Sequence, residues 1–95
     1  MPALVLVEVT IHNPEMYEEY KKLSLPAVEA FDGKFIVRGA QTESLEGEWN
    51  PQRLVILEFP SVERAKEWYN SEQYNTAKKI RFQASKGKML VVESI

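Results

Sequence analysis

The sequence predicts an α+β sandwich whose elements follow in the order βαββαβ. Three observations lead there. Apolar residues alternate in short runs, the period of strands. Two longer stretches between those runs carry apolar residues at three- and four-residue intervals and open on capping signals. The first and third strand runs are apolar on both faces, so neither side of the sheet suits open water.

The first strand is Ala3 to Ile11. Its odd positions Ala3, Val5, Val7, Val9 and Ile11 form a core face, while the even positions run Leu4, Leu6, Glu8, Thr10, His12. Asn13-Pro14-Glu15 then starts a helix. Asn accepts a bond from an early helical N–H, Pro suits the first helical position, and Glu suits the positive end of the helix dipole. Met16, Tyr17, Tyr20, Leu23 and Ala27 follow at helical spacing. Pro26 has no N–H to donate, so a stop or kink is expected just before it, with a further turn or two reaching Phe31.

Asp32-Gly33 is a turn, and Lys34 to Gly39 the second strand, with Phe35 and Val37 on one face and Ile36 and Arg38 on the other. Ala40 to Gln52 reads as a hairpin connection into the third strand, Arg53 to Phe59, where Val55, Leu57 and Phe59 oppose Leu54, Ile56 and Glu58. Ser61 caps a second helix striped by Val62, Ala65, Trp68 and Tyr69. Ser71 recaps the chain for a third helical stretch with Tyr74, Ala77, Ile80, Arg81 and Ala84 on one side. Lys86-Gly87-Lys88 is expected to break this helix before a last strand, Met89 to Val92. Two right-handed βαβ crossovers place the helices on one face of a four-stranded antiparallel sheet, the ferredoxin-like arrangement.

With 95 residues the chain suits one domain spanning 1–95. At 44% hydrophobic and 27% charged residues it is no disordered tail. A chain this short buries only roughly 60–65% of its unfolded surface and gains from a partner. Its bare sheet face, with Leu4, Leu6, Ile36, Leu54 and Ile56, predicts a homodimer with two sheets face to face, a dimeric α+β barrel. The net charge of −2 and the lack of a basic stripe argue against nucleic acid as a partner. The opening run is short and alternating, a strand rather than a signal peptide or membrane helix. No cysteine means no thiol chemistry, and one histidine, His12, excludes a site needing two imidazoles per chain. No metal or cofactor is expected.

Several stretches together resemble the family called domain of unknown function 1330. They are Val37-Arg38-Gly39, Leu45-Glu46-Gly47 with Trp49, the run Arg53 to Ser61, the run Ala65 to Ser71, and Tyr74 with Arg81. The likeness covers nearly the whole chain. It implies a dimeric α+β barrel, a cytoplasmic protein and no established activity. The family commonly shows paired glycines before the second strand and after its arginine. Here Asp32-Gly33 and Gly39-Ala40 stand instead, a difference of turn geometry. The wider superfamily includes cofactor-independent monooxygenases and haem-degrading enzymes. The haem-degrading combination of Asn, Trp and His is not met: Trp68 is present, but the first strand offers Glu8 and Thr10 and the last helix has no His.

Five residues are candidates for ligand binding: Arg38, Glu58, Trp68, Tyr74 and Arg81. Arg38 and Glu58 are expected as cross-strand neighbours on the free face together with Glu8. They form either a structural ion-pair network or a carboxylate beside an anchor for an anionic substrate. Trp68, Tyr74 and Arg81 are expected to border one cleft, as aromatic core or as a pocket for a small anionic or aromatic molecule. Trp49, in a loop, is expected to pack on a partner or over a cleft. No catalytic residue is assigned. A non-catalytic structural or interaction dimer is the alternative, and a monooxygenase-like enzyme a further one by fold analogy.

Overall fold

The computed structural model describes residues 1–95. The elements are β1 (Ala3–Ile11), α1 (Pro14–Ala30), β2 (Lys34–Ala40), β3 (Arg53–Phe59), α2 (Val62–Tyr69), α3 (Glu72–Ala84) and β4 (Ser85–Glu93). The sheet is antiparallel throughout, in the order β2-β3-β1-β4, as the ferredoxin-like reading requires. No helix is long and apolar enough to cross a membrane.

The caps act as their residue types predict. Asn13, Ser61 and Ser71 each accept a bond from the backbone N–H three residues on, at Met16, Arg64 and Tyr74, all at 3.1 Å. The N–H groups of His12 and Asn13 both donate to the Ala84 carbonyl at 3.0 Å, tying the β1–α1 corner to the end of α3. The odd residues of β1 and β3 face the helices and form the core with Tyr17, Tyr20, Ala27, Val28, Ala65, Trp68, Tyr74, Ala77 and Ala84.

Four local expectations need correction. Pro26 does not end α1, which runs on to Ala30. Pro26 is exposed, so the carbonyl it leaves without a helical partner faces water. Leu23 is 41% exposed and does not join the core. The inward stripe is instead Tyr17, Tyr20, Ser24, Ala27 and Val28, a cleaner three-and-four spacing. Lys86-Gly87-Lys88 is not the break that ends the helix: α3 stops at Ala84, and the three residues lie within β4, which begins at Ser85. Gly87 pairs with Val9, and a Cβ there would run into the Glu8 carbonyl oxygen. The glycine lets two strands approach rather than separating two elements.

The fourth correction concerns which way Arg38 points. Register shifts between Phe35 and Val37, and again between Arg38 and Ala40, set Val37 opposite Ile56 and Arg38 opposite Val55. A bulge adds a residue to one strand and reverses the alternation beyond it. Phe35 and Arg38 therefore share the helix face, and Val37 joins the free face. Gly39 follows with φ of 74°, a left-handed conformation that suits glycine.

Candidate functional site

Two recesses lie on the helix side of the sheet, with a buried aromatic cluster near both. The larger is an open cavity of about 320 Å³ between α2 and the β1–β4 edge. Val5, Met89 and Val91 line it from the sheet, and Ala65, Trp68 and Tyr69 from α2. Lys66 and Asn70, both exposed, supply its polar groups. Trp68 is 1% exposed and its indole N–H has no hydrogen-bond partner. A buried N–H of that kind costs free energy until something accepts from it.

Behind Trp68 the aromatic rings continue. Tyr74 lies 4.3 Å from it and Phe59 5.1 Å, centroid to centroid. The Tyr20 and Tyr74 hydroxyls bond to each other at 2.9 Å, and Tyr17 packs 5.1 Å from Tyr20. Arg81 is 5% exposed, its Nε is unpartnered, and it joins no ion pair. Its guanidinium lies 4.9 Å from the Phe82 ring.

The second recess lies between α1 and β2–β3, lined by Tyr17, Tyr20, Lys21, Ser24, Phe35, Arg38 and Arg53 among others. Arg53 holds its guanidinium 5.6 Å from the Tyr17 ring, in the space that a Cβ on Gly39 would fill.

The five candidates therefore do not form one site. Trp68 lines the larger cavity, and Tyr74 stands behind it. Arg81 is buried but lines neither recess. Arg38 is exposed and lies in the second recess, 4.3 Å from the Phe35 ring. The expected Arg38–Glu58 pair is absent. Glu58 remains on the free face beside Leu4 and pairs with Lys34 at 3.2 Å. Glu8, on the same face, pairs with Lys88 at 3.7 Å and accepts from the Trp49 indole at 3.4 Å. Trp49 is 56% exposed and lines an open hollow of about 350 Å³ with Leu45 and Leu54. Arg53 was not among the candidates. Its signal was its parity, since it continues the inward series Val55, Leu57, Phe59.

Burial pushes the Tyr74 phenol well above its ordinary value of 10.0. The neighbouring Tyr20 adds to the shift, and Arg81 opposes it. Tyr17 is raised as well, by burial first and Tyr20 second. Lys78 is lowered, mainly by burial and then by the nearby Arg81 charge. The folded tyrosines hold their protons where unfolded ones release them. The two tyrosines therefore contribute no pH dependence below pH 10.0 and a fall in stability above it, which the lowered Lys78 partly opposes. The slope is about 1.4 kcal/mol per pH unit for each such tyrosine. Urea midpoints taken from roughly pH 8 to pH 11 measure this, and the Tyr74→Phe variant should show a shallower fall.

Comparison with known proteins follows the architecture. No curated protein matches the sequence. A protein of unknown function from Rhodopseudomonas palustris shares 24% identity at a TM-score of 0.80, over 99% of this chain and 82% of that one. SnoaB, a cofactor-independent oxygenase from Streptomyces nogalater, superposes at 0.69 with 8% identity, over 99% and 93%. A dimeric protein of unknown function and ferredoxin-like fold from Bacteroides fragilis gives 0.56 with 14% identity, over 98% and 96%. At these identities the structures share the fold. The model of the family described as Domain of unknown function (DUF1330) matches residues 2–95, and the chain belongs to that family.

Proposed function

We propose that the chain is a homodimeric binding protein for a small organic molecule of aromatic or anionic character, held between α2 and the β1–β4 edge. The observation that carries this reading is the apolar cavity whose wall includes Trp68 with an unpartnered N–H. Ligand cavities are mostly apolar with a few convergent polar groups. Here the Trp68 ring is part of the wall, and Lys66 supplies a cation that an anionic group could meet. Tyr74 fixes Trp68 from behind.

The assembly follows from the other face of the sheet. Leu6 lies between Ile56 and Leu90, and Leu4 between Glu58 and Val92. Ile36, Leu90 and Val92 are 49%, 57% and 45% exposed. A second copy placed face to face covers this surface, and the protein of ferredoxin-like fold from Bacteroides fragilis, itself described as dimeric, supports a dimer. A catalytic reading, oxygenation without a cofactor, draws on the likeness to the Streptomyces nogalater oxygenase. An aromatic substrate stacked on the Trp68 wall would suit it.

A panel of small aromatic acids and quinols tests the site on a Trp49→Phe background, where Trp68 is the only tryptophan. A bound compound should change Trp68 emission and raise Tm. Val91→Phe, which fills the cavity, should abolish both effects without unfolding the chain. Ligand-dependent oxygen uptake would favour the enzyme. If no compound changes either signal, the non-catalytic structural dimer is the better account.

A further inference from the structure

The two edges of the sheet are built differently. β2, at one edge, carries two register shifts and the left-handed Gly39, features that break up a row of hydrogen-bonding groups. β4, at the other, pairs with β1 from Ser85 to Glu93 without a shift. The Ser94 N–H donates to the Pro2 carbonyl and the His12 N–H to the Ala84 carbonyl, which fixes the phase of this ladder. Even-numbered residues of β4 therefore bond to β1, and odd-numbered ones turn their N–H and C=O groups outward. The Ser85 N–H donates to the Arg81 carbonyl. Gly87, Met89, Val91 and Glu93 keep both groups on the open edge, where no strand pairs with them.

The same edge is apolar, and the cavity under α2 opens onto it. Leu90 and Val92 are 57% and 45% exposed. Met89 and Val91 line the cavity from the helix side, and Leu90 points to the other face. Its place on the wall carries the mouth of the cavity round to the edge itself. Charge along β4 changes sign from end to end: Lys86 and Lys88 come first, Met89 to Val92 are apolar, and Glu93 closes the strand. Such a strand is complementary to itself when reversed. With Leu90 opposite Leu90 of a second copy, the copy's Val91 lies opposite Met89. Its Glu93 lies opposite Gly87, between Lys86 and Lys88 in the register, and no lysine faces a lysine. Glu93 also shares the helix side with Lys66, and neither joins an ion pair within the chain.

We propose that this edge is a second interface between copies of the chain, in which β4 pairs antiparallel with β4 of another copy about a twofold axis at Leu90. The four outward residues of each strand then exchange about eight backbone hydrogen bonds. Val91 of each copy sits at the mouth of the other's cavity, so the site under α2 gains a wall that one subunit does not have. The contact uses the edge of the sheet and leaves its free face for the packing described above; added to that dimer it gives a tetramer. One strand pair is smaller than a stable interface, so the contact forms only at high protein concentration. It does not depend on a ligand in the cavity.

Amide hydrogen exchange of the full chain, read residue by residue at about 50 µM and about 1 mM, tests this. The amides of Gly87, Met89, Val91 and Glu93 should exchange at least about tenfold more slowly in the concentrated sample. Those of Lys88, Leu90 and Val92, already bonded to β1, should be slow in both. This alternation is the signature of a strand added at the edge. The sedimenting mass should double over the same range. Glu93→Lys, at an exposed position, sets like charges against each other across the pair and should weaken the association about tenfold. A constant mass, protection that grows equally on odd and even residues, or unchanged association in Glu93→Lys would overturn the edge pairing. The mass of the dilute sample reports on the face-to-face contact alone, so the two interfaces stand or fall separately.

Discussion

Replacing Trp68 by alanine is expected to cost the chain much of its stability. Trp68 is 1% exposed and is held between Phe59 and Tyr74, with ring centroids at 5.1 and 4.3 Å. It therefore links β3, α2 and α3. Truncating a buried aromatic to alanine costs about 3–5 kcal/mol. Small domains hold only about 5–15 kcal/mol in total, so a large share is lost. At about 4–8 °C per kcal/mol for a chain of this length, Tm should drop by at least about 12 °C. Trp68→Phe refills most of the volume and should retain most of the stability. Thermal melts followed by circular dichroism decide the matter. A shift below about 5 °C for the alanine variant would mean that the cavity collapses around the lost ring.

Leu6→Glu is expected to split the proposed dimer while leaving the subunit folded. Leu6 is central on the free face, flanked by Ile56 and Leu90 on the adjacent strands, and is only partly buried in a single chain. A lone subunit can solvate a glutamate there. Between two sheets the same change would bury two unpaired carboxylates, each costing several kcal/mol. Even about 3 kcal/mol weakens association more than a hundredfold. Wild-type protein should sediment at twice 11.0 kDa and the variant at 11.0 kDa, with the same far-ultraviolet spectrum. A variant that still sediments as a dimer would move the interface away from this face.

The framework was legible in the sequence because its signals are short-range. Strict alternation in β1 gives its inward face directly, and Asn13, Ser61 and Ser71 announce caps that the structure forms with bonds of 3.1 Å. The third helix shows the same legibility, since Tyr74, Ala77, Arg81 and Ala84 are its buried side. What escaped depends on a second strand or on solvent. Alternation alone set Arg38 beside Glu58, but a bulge is fixed by pairing with β3 and moves Arg38 to the other face. Gly87 looks like a breaker until Glu8 is beside it. Pro26 looks like one until its turn of helix is seen to face water. The candidate site divided for the same reason: the Trp68 side of the core and the Arg38 side sit at opposite edges of the sheet, a separation that only the strand order reveals.

That strand order also bears on how the chain is made. β1 occupies an inner position, yet both of its neighbours come late, Arg53–Phe59 on one side and Ser85–Glu93 on the other. A nascent chain emerging from the ribosome thus exposes the run from Ala3 to Val9, apolar at nearly every position, with no strand to pair against until Arg53–Phe59 has followed it. Such a segment is β-prone, uncharged except at Glu8 and free of proline, the composition that aggregates when left alone. α1 follows immediately, and its inward tyrosines can shelter one face of the run early. The other face has no sheet neighbour until β3 has followed, and its second arrives only with β4, so the run is an aggregation hazard for as long as those strands are missing.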